Sequence, residues 1–221
     1  MVKQSYNSRA CHDFAAAHDE IRGRIKERIR SFRAIWSHGG EADIFIELAF
    51  CLLTPQTKAR QGEKAVNLLL EKNLMFSGTA AELGRHLNIV RFRYRKAEYL
   101  VRAREQFSRD GAIMLKKTLK GFGEPRAMRE YLAREVKGFG MKEASHFLRN
   151  IGLGAELAIL DRHILKNLCL AGCISEIPSS ITPSRYFQIE KRMIEFSDSI
   201  GIPMEHLDFV LWYMETGDIY K

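Results

Sequence analysis

Apolar residues recur three or four positions apart along most of the chain, which is the spacing of an α-helix that buries one face. Between residues 13 and 36 they alternate with Arg and Lys, so this segment predicts a long amphipathic helix that stops at the His38-Gly39-Gly40 break. Residues 41–54 are apolar on nearly all sides and predict a buried helix. Pro55 closes that helix or opens the next, which we expect at residues 57–71.

Local end signals extend this helical prediction through the rest of the chain. Thr79 is followed three residues later by Glu82, a capping box that predicts a short helix through residue 87. The run R-F-R-Y-R-K-A-E-Y-L-V-R-A-R then predicts a helix with one apolar face and many cations, which are either solvated or in contact with phosphates. Further helices are expected at residues 124–136, 162–170, 183–199 and 203–216. We find no sustained alternating strand pattern and no hairpin dipeptide, so the predicted fold is all-α.

Composition and charge narrow the class of protein. Of 221 residues, 46% are hydrophobic, which is enough for a real core and argues against disorder. Lys and Arg number 35 against 27 Asp and Glu, and the resulting charge of +8 favours a polyanionic partner. The start of the chain has no signal-peptide pattern, and no apolar run is long enough to span a membrane. We therefore expect a soluble, intracellular protein without a membrane partner.

The cysteines and histidines do not predict a metal centre or a disulfide framework. Cys11 and Cys51 stand alone, whereas Cys169 and Cys173 lie one helical turn apart without a second pair at zinc-ligand spacing. We interpret the last two as core thiols and expect a reducing compartment. The seven His are scattered, so no catalytic metal is predicted.

A K-G-F-G turn at residues 137–140 separates two predicted helices. Two glycines one residue apart allow a sharp turn with positive φ and leave backbone N–H groups uncovered. With the N-terminus of the helix that starts near Met141, these donors suit an anion such as a phosphate oxygen. The same tetrapeptide occurs at residues 120–123, but there it precedes Glu124-Pro125, and we interpret it as an ordinary turn between helices.

The run V-K-G-F-G-M-K-E-A-S-H-F-L-R-N-I-G, followed by L-A-I-L-D-R-H, resembles the catalytic core of helix-hairpin-helix DNA glycosylases. The similarity extends over most of the chain and is strongest to the short archaeal and bacterial type of 8-oxoguanine DNA glycosylase/lyase. It implies two helical subdomains flanking a cleft: residues 55–158, which end in the hairpin, and residues 1–54 together with 159–221. It also implies a monomer in the cytoplasm, associated with the nucleoid. The iron–sulfur loop of endonuclease III relatives is absent, so no such cluster is expected.

The resemblance assigns the chemistry to Lys142 and Asp161. Lys142 stands where the family has its nucleophile, which attacks the sugar C1′ of an extruded nucleotide and forms a Schiff base. The Schiff base permits β-elimination of the 3′ phosphate, which cleaves the strand. An amine in this role needs a lowered pKa. Asp161 stands where the family has the carboxylate partner. It also precedes a helix, where Asp caps free N–H groups whatever the function, and the two roles can coexist.

Contacts to DNA are implied at further positions. The hairpin residues Lys137, Gly138, Phe139 and Gly140 would grip the DNA backbone, and hairpin carbonyls would hold a bridging monovalent cation. The other residues implied at the DNA backbone or the extruded base are Arg162, His163 and Gln56, and those implied at the base pocket are Trp212 and Lys221, the latter through a terminal carboxylate. Ordinary alternatives exist for each of these: exposed helix positions, a loop glutamine, a helix-packing Trp and a frayed tail.

The sequence therefore predicts a bifunctional enzyme of base-excision DNA repair that acts on duplex DNA containing 8-oxoguanine. Two alternatives stay open at this point. One is the same machinery directed at oxidised pyrimidines. The other is a non-catalytic helix-hairpin-helix module, which needs the glycines but has no use for Lys142 or Asp161.

Overall fold

The amphipathic segment near the N-terminus forms one continuous helix in the computed structural model, which describes residues 6–220. This helix, α1, spans Ser8–His38 and buries Phe14, Ile21 and Ile25 on its apolar stripe. The remaining helices are α2 (Glu41–Leu53), α3 (Ala59–Glu71), α4 (Ala80–His86), α5 (Arg93–Gln106), α6 (Leu115–Lys120), α7 (Pro125–Glu135), α8 (Met141–Asn150), α9 (Arg162–Leu170), α10 (Pro183–Ile200) and α11 (Met204–Thr216).

The predicted helices are confirmed, most of them to within two residues at each end. The capping box of α4 is present, because Glu82 N–H donates to Thr79 Oγ1 at 3.3 Å and Thr79 N–H donates to Glu82 Oε2 at 2.7 Å. The sequence prediction did not include α6. Among the described residues, no helix combines the length and the apolar composition needed to cross a bilayer.

The prediction that the chain holds no strand was wrong at one place. A short antiparallel hairpin joins β1 (Ser108–Arg109) to β2 (Ala112–Ile113). Its turn is Asp110-Gly111, with φ of +49° and +79°, which is the geometry that favours Asp-Gly in two-residue hairpins. Asp110-Gly111 is thus a hairpin dipeptide, and the sequence shows no strand pattern around it because each strand has only two residues, too few to alternate.

The chain folds into two compact units. The central unit spans Phe32–Leu153, and the terminal unit comprises the segments up to Ser31 and from Gly154 to Tyr220. This central unit begins at Phe32 rather than at residue 55 as predicted, because the buried helix α2 packs against α3, α5, α6 and α8, all of which belong to it.

Each unit has its own apolar core. In the central unit α2 is buried on nearly every side beyond its first turn, with Phe45, Leu48 and Leu52 at most 1% exposed, as its largely apolar sequence predicts. In the terminal unit α10 and α11 pack together, and Phe196 of α10 meets Phe14 edge to face. The predicted burial of Cys173 is confirmed, whereas Cys169 is only half-buried, and all four cysteines are free thiols.

Candidate active site

The hairpin between α7 and α8 is fixed by its own backbone and by one buried ring. Phe139 N–H donates to Val136 O at 3.0 Å and closes the turn. The Phe139 side chain points into the core against Phe147, with ring centroids 6.3 Å apart. Phe139 therefore anchors the hairpin from inside, while Lys137 and Gly138 are exposed to solvent.

The two hairpin glycines have different conformations, and only the first has the positive φ that the sequence predicts for this turn. Gly138 has a φ of +97°, and a Cβ placed there would lie 2.4 Å from Cδ2 of Tyr99. Gly140 has a φ of −117°, which any residue can adopt, and it precedes the first residue of α8. Only Gly138 thus needs to be glycine for both conformation and space.

Two of the four hairpin N–H groups are engaged within the described chain and two are not. Gly140 N–H donates to Glu143 Oε2 at 3.2 Å, and Phe139 N–H is engaged in the turn. Within residues 6–220, the N–H groups of Lys137 and Gly138 make no hydrogen bond to the chain, and the first turn of α8 adds donors that have no intrahelical partner. An anion-binding position therefore remains at the exposed side of the hairpin.

Lys142 is the second residue of α8, one step beyond this anion-binding position. Its side chain is 27% exposed, and its Nζ lies 3.8 Å from Oε1 of Glu143, which is the long limit of an ion pair. The same Glu143 carboxylate binds Gly140 N–H through its other oxygen. A loosely paired amine at a helix N-terminus is thus presented beside the exposed donors of the hairpin.

Asp161 caps α9 with one oxygen of its carboxylate. Its Oδ1 accepts hydrogen bonds from His163 N–H at 2.8 Å and from Ile164 N–H at 2.9 Å. In the part of the chain that the structure describes, Oδ2 has no hydrogen-bond partner, and the residue is half-buried. The capping role is therefore real, and it leaves one carboxylate oxygen available for a second role.

The structure brings three of the predicted DNA-contacting residues together next to Asp161. The His163 ring meets Trp212 of α11 edge to face at 5.0 Å, and Arg162 Nε approaches His163 Nε2 at 3.3 Å. Arg162 is exposed, and Trp212 is half-buried. Tyr213 differs from its neighbour, because its hydroxyl is bound to Glu20 Oε1 at 2.7 Å. Lys221 lies outside the described residues.

Gln56 lies in an exposed loop between α2 and α3 and has a strained backbone. Its φ of +55° is unusual for a residue with a side chain and costs about 1–2 kcal/mol. The loop is closed by Thr57 N–H, which donates to Thr54 O at 2.8 Å. Strain of this kind persists where surrounding contacts hold the backbone, and it is frequent at functional sites.

One residue of this region was missed by sequence reasoning. Lys96 belongs to the cationic run that predicts a solvated or phosphate-contacting face of α5, yet it is only 5% exposed. A signal was present in the sequence, because Lys96, Leu100 and Ala103 follow one another at helical spacing and all three are buried.

Comparison with known proteins places these features in a family. The nearly all-helical fold with a glycine hairpin before α8 belongs to the class of helix-hairpin-helix DNA glycosylases. The family model described as 8-oxoguanine DNA glycosylase matches residues 25–202. An 8-oxoguanine DNA glycosylase/AP lyase of Fusobacterium nucleatum is 44% identical over 202 residues, which cover 91% of this chain and 93% of that protein. The chain belongs to the 8-oxoguanine DNA glycosylase family.

Solved structures give the same result. The crystal structure of the 8-oxoguanine DNA glycosylase of Thermotoga maritima superposes with a TM-score of 0.82 at 32% identity, covering 96% of this chain and 98% of that one. The 8-oxoguanine glycosylase/lyase of Methanocaldococcus jannaschii, solved in complex with a 15mer DNA containing 8-oxoguanine, gives 0.83 at 31% identity and covers 96% and 99%. The oxidised-pyrimidine and non-catalytic alternatives therefore lose their support.

Proposed function

We propose that this protein is a bifunctional glycosylase and AP lyase that excises 8-oxoguanine from duplex DNA, with Lys142 as nucleophile and Asp161 as the carboxylate that supports it. The observation that carries the proposal is the position of Lys142 at the second residue of α8, directly after the hairpin turn. If the hairpin binds a DNA phosphate, the amine of Lys142 is presented to the sugar next to that phosphate. The activity is that of the family to which the chain belongs.

The hairpin grips the DNA backbone through main-chain groups. The exposed N–H groups of Lys137 and Gly138 suit phosphate oxygens, and the Lys137 side chain adds a positive charge. The carbonyls of Lys137 and Gly138 accept no hydrogen bond from the described chain, so they fit a monovalent cation that would bridge them to a phosphate. Such an ion would add charge compensation at the grip and take no part in the covalent chemistry.

The reaction proceeds through a covalent enzyme–DNA intermediate. The free amine of Lys142 forms a bond to C1′ as the C1′–N9 bond breaks and the base leaves with its electron pair, taking up a proton. Opening of the sugar ring gives a Schiff base between Nζ and C1′. Loss of a proton from C2′ then expels the 3′ phosphate, which cleaves the strand. Positive charge develops on the sugar in the first step, and the unengaged Oδ2 of Asp161 is suited to stabilise it.

Trp212 is the residue we assign to the extruded base. The ring is half-buried and already fixed on one edge by His163, so little side-chain entropy remains to be lost when a base stacks on it. Base–aromatic stacking contributes roughly 1–3 kcal/mol. The role of a Lys221 terminal carboxylate stays a prediction.

Borohydride trapping tests the nucleophile. Reduction of the Schiff base leaves protein and DNA permanently linked, and wild-type protein should be trapped on duplex carrying 8-oxoguanine. Lys142→Gln should show no trapping, no base release and no strand cleavage. Its duplex affinity should remain near that of the wild type, because the hairpin donors are unchanged.

Two comparisons make the test specific. Lys137→Gln removes a neighbouring hairpin cation and should weaken binding while the trapped adduct still forms. Duplexes with thymine glycol or a preformed abasic site separate lesion preference from lyase chemistry. An adduct formed by Lys142→Gln on 8-oxoguanine DNA would show that another amine is the nucleophile.

A further inference from the structure

The loop that carries Gln56 is tied to α5 by one buried ammonium group. Nζ of Lys96 donates hydrogen bonds to Leu53 O at 2.7 Å, to Pro55 O at 2.6 Å and to Thr57 Oγ1 at 3.1 Å. These acceptors lie on both sides of Gln56 in the sequence, so a single side chain fixes the backbone before and after that residue.

The same contacts join two strained turns. Gln56 and Phe92 are both non-glycine residues with positive φ, +55° and +59°, and Phe92 immediately precedes α5. Thr57 Oγ1, which accepts from Lys96, also accepts from Arg91 N–H at 3.2 Å. The hydroxyl of Thr57 therefore connects the Gln56 loop to the turn at Phe92, and Lys96 holds that hydroxyl in place.

Stability of the fold alone does not account for a buried lysine at this position. In the described chain no carboxylate pairs with Lys96 Nζ, and burial lowers the pKa of the amine to about 8. Methionine would fill a similar volume without the cost of desolvating a charge, although Leu53 O and Pro55 O would then lose this donor. An ammonium group instead offers three donors, one for each of the three loop acceptors. These three hydrogen bonds together fix the backbone conformation of the loop.

We propose that Lys96 is a positioning residue for lesion recognition, which holds the loop from Leu53 to Thr57 in the conformation that lets Gln56 enter the duplex beside the extruded nucleotide. The inference rests on the proposed function. Extrusion costs a few kcal/mol of unstacking, and a loop ordered in advance does not add its own ordering cost at that step. Lys96 thus acts through Gln56 and does not contact the reacting atoms.

A double-mutant cycle tests whether Lys96 acts through Gln56. Lys96→Met, Gln56→Ala and the combined variant would be compared in single-turnover excision of 8-oxoguanine from duplex DNA and in cleavage of a single-stranded abasic site. Lys64→Met, at an exposed position of α3, is the matched control. 2-Aminopurine placed beside the lesion reports the extrusion step by its fluorescence, which rises as the stack opens.

Lys96→Met should slow duplex excision by about tenfold to a hundredfold, the effect expected when a contacting group is misplaced by about 1 Å. It should reduce the 2-aminopurine signal as Gln56→Ala does. In the Gln56→Ala background it should add no further loss. Cleavage of the single-stranded abasic site, where no stack has to be opened, should be unchanged, and Lys64→Met should match the wild type throughout.

Three results would overturn the inference: unchanged duplex excision by Lys96→Met, equal losses on both substrates, or a loss that adds fully to that of Gln56→Ala. If thermal unfolding shows that the Lys96→Met variant is not folded, Thr57→Val serves in its place, because it removes the shared hydroxyl at a half-buried position. Thr57→Val should give the same duplex-specific loss, and the absence of that loss would also overturn the inference. Failure of the wild-type protein to form a trapped adduct would refute the proposed function instead.

Discussion

Asp161 illustrates how one side chain supports two roles. Its Oδ1 binds two N–H groups of α9, which orients the carboxylate, and its Oδ2 is left without a partner in the described chain. A cap that used both oxygens would leave nothing for the reaction. The sequence placed Asp161 before a helix and so left capping and catalysis open, whereas the hydrogen-bond geometry allows both.

Asp161→Asn should separate these roles. Asn caps helices as well as Asp does, so the melting temperature should fall little, with at most about 0.3–1 kcal/mol lost from the helix dipole. Excision should slow by on the order of a hundredfold or more, because the charge that stabilises the sugar cation is gone. Single-turnover kinetics and thermal unfolding measure the two effects. An Asn variant with wild-type rate would reduce Asp161 to a cap.

The two K-G-F-G segments show that identical tetrapeptides can form different turns. In the first copy Gly121 is helical and Gly123 has a φ of +70°, whereas in the second Gly138 has the positive φ. The difference follows from the neighbours: Pro125 starts the helix after the first copy, and Tyr99 packs against the second. The sequence predicted a turn at each copy, and the packing decided its geometry.

Replacement of Gly138 by Ala should weaken binding to any duplex. Positive φ costs an L-residue about 1–2 kcal/mol, and the new Cβ would also meet the Tyr99 ring at 2.4 Å, so the hairpin must shift. Gly123→Ala is the control, since it has a comparable φ and no atom within 4 Å of the added Cβ. It should cost stability without loss of affinity. Equal duplex affinities of the two variants would place the grip outside this hairpin.

The contact between α1 and α11 contains a buried histidine pair. His18 Nε2 and His206 Nδ1 are 2.9 Å apart, so one ring must donate and the other accept. Burial lowers the pKa of both rings from the ordinary 6.5, with smaller opposing contributions from Asp19 and Glu205. The two rings therefore bind protons less readily in the folded state than in the unfolded state, where their pKa is the ordinary 6.5.

Stability should consequently fall as the pH drops from 7 to 5, by at most about 1.4 kcal/mol per pH unit for each proton. The carboxylates with lowered pKa, Glu82 and Glu215, titrate below their ordinary 4.5 and do not contribute in this range. Urea unfolding at several pH values measures the slope. A His18→Leu/His206→Leu double variant should flatten it, and an unchanged slope would show that other groups control the pH dependence.

For the whole molecule, the charge of +8 predicts binding that depends strongly on salt. The log–log slope should change by about 0.9 for each phosphate that is neutralised. Lys137→Gln, at the exposed hairpin, should reduce the slope by about 1, while Lys191→Gln, on the exposed side of α10, should leave it unchanged. Fluorescence anisotropy between low and physiological salt provides the measurement, and a flat dependence would contradict phosphate gripping by the hairpin.

The sequence alone determined the features that are local along the chain. Helical periodicity, capping residues and the glycine hairpin are encoded within a few neighbouring positions, so the helices, the turn before Lys142 and the cap at Asp161 could be predicted. The family resemblance added the chemistry. A two-residue strand and the short helix α6 carry too few positions to show a period, and both were missed.

Tertiary structure decided what depends on residues far apart in sequence. The burial of Lys96 depends on carbonyls about 40 positions away, the glycine required at Gly138 depends on Tyr99, and the grouping of α2 with the central unit depends on four other helices. The helical spacing of Lys96 with Leu100 and Ala103 places it in line with the apolar face of α5, but its hydrogen-bond partners are set by packing rather than by its sequence neighbours.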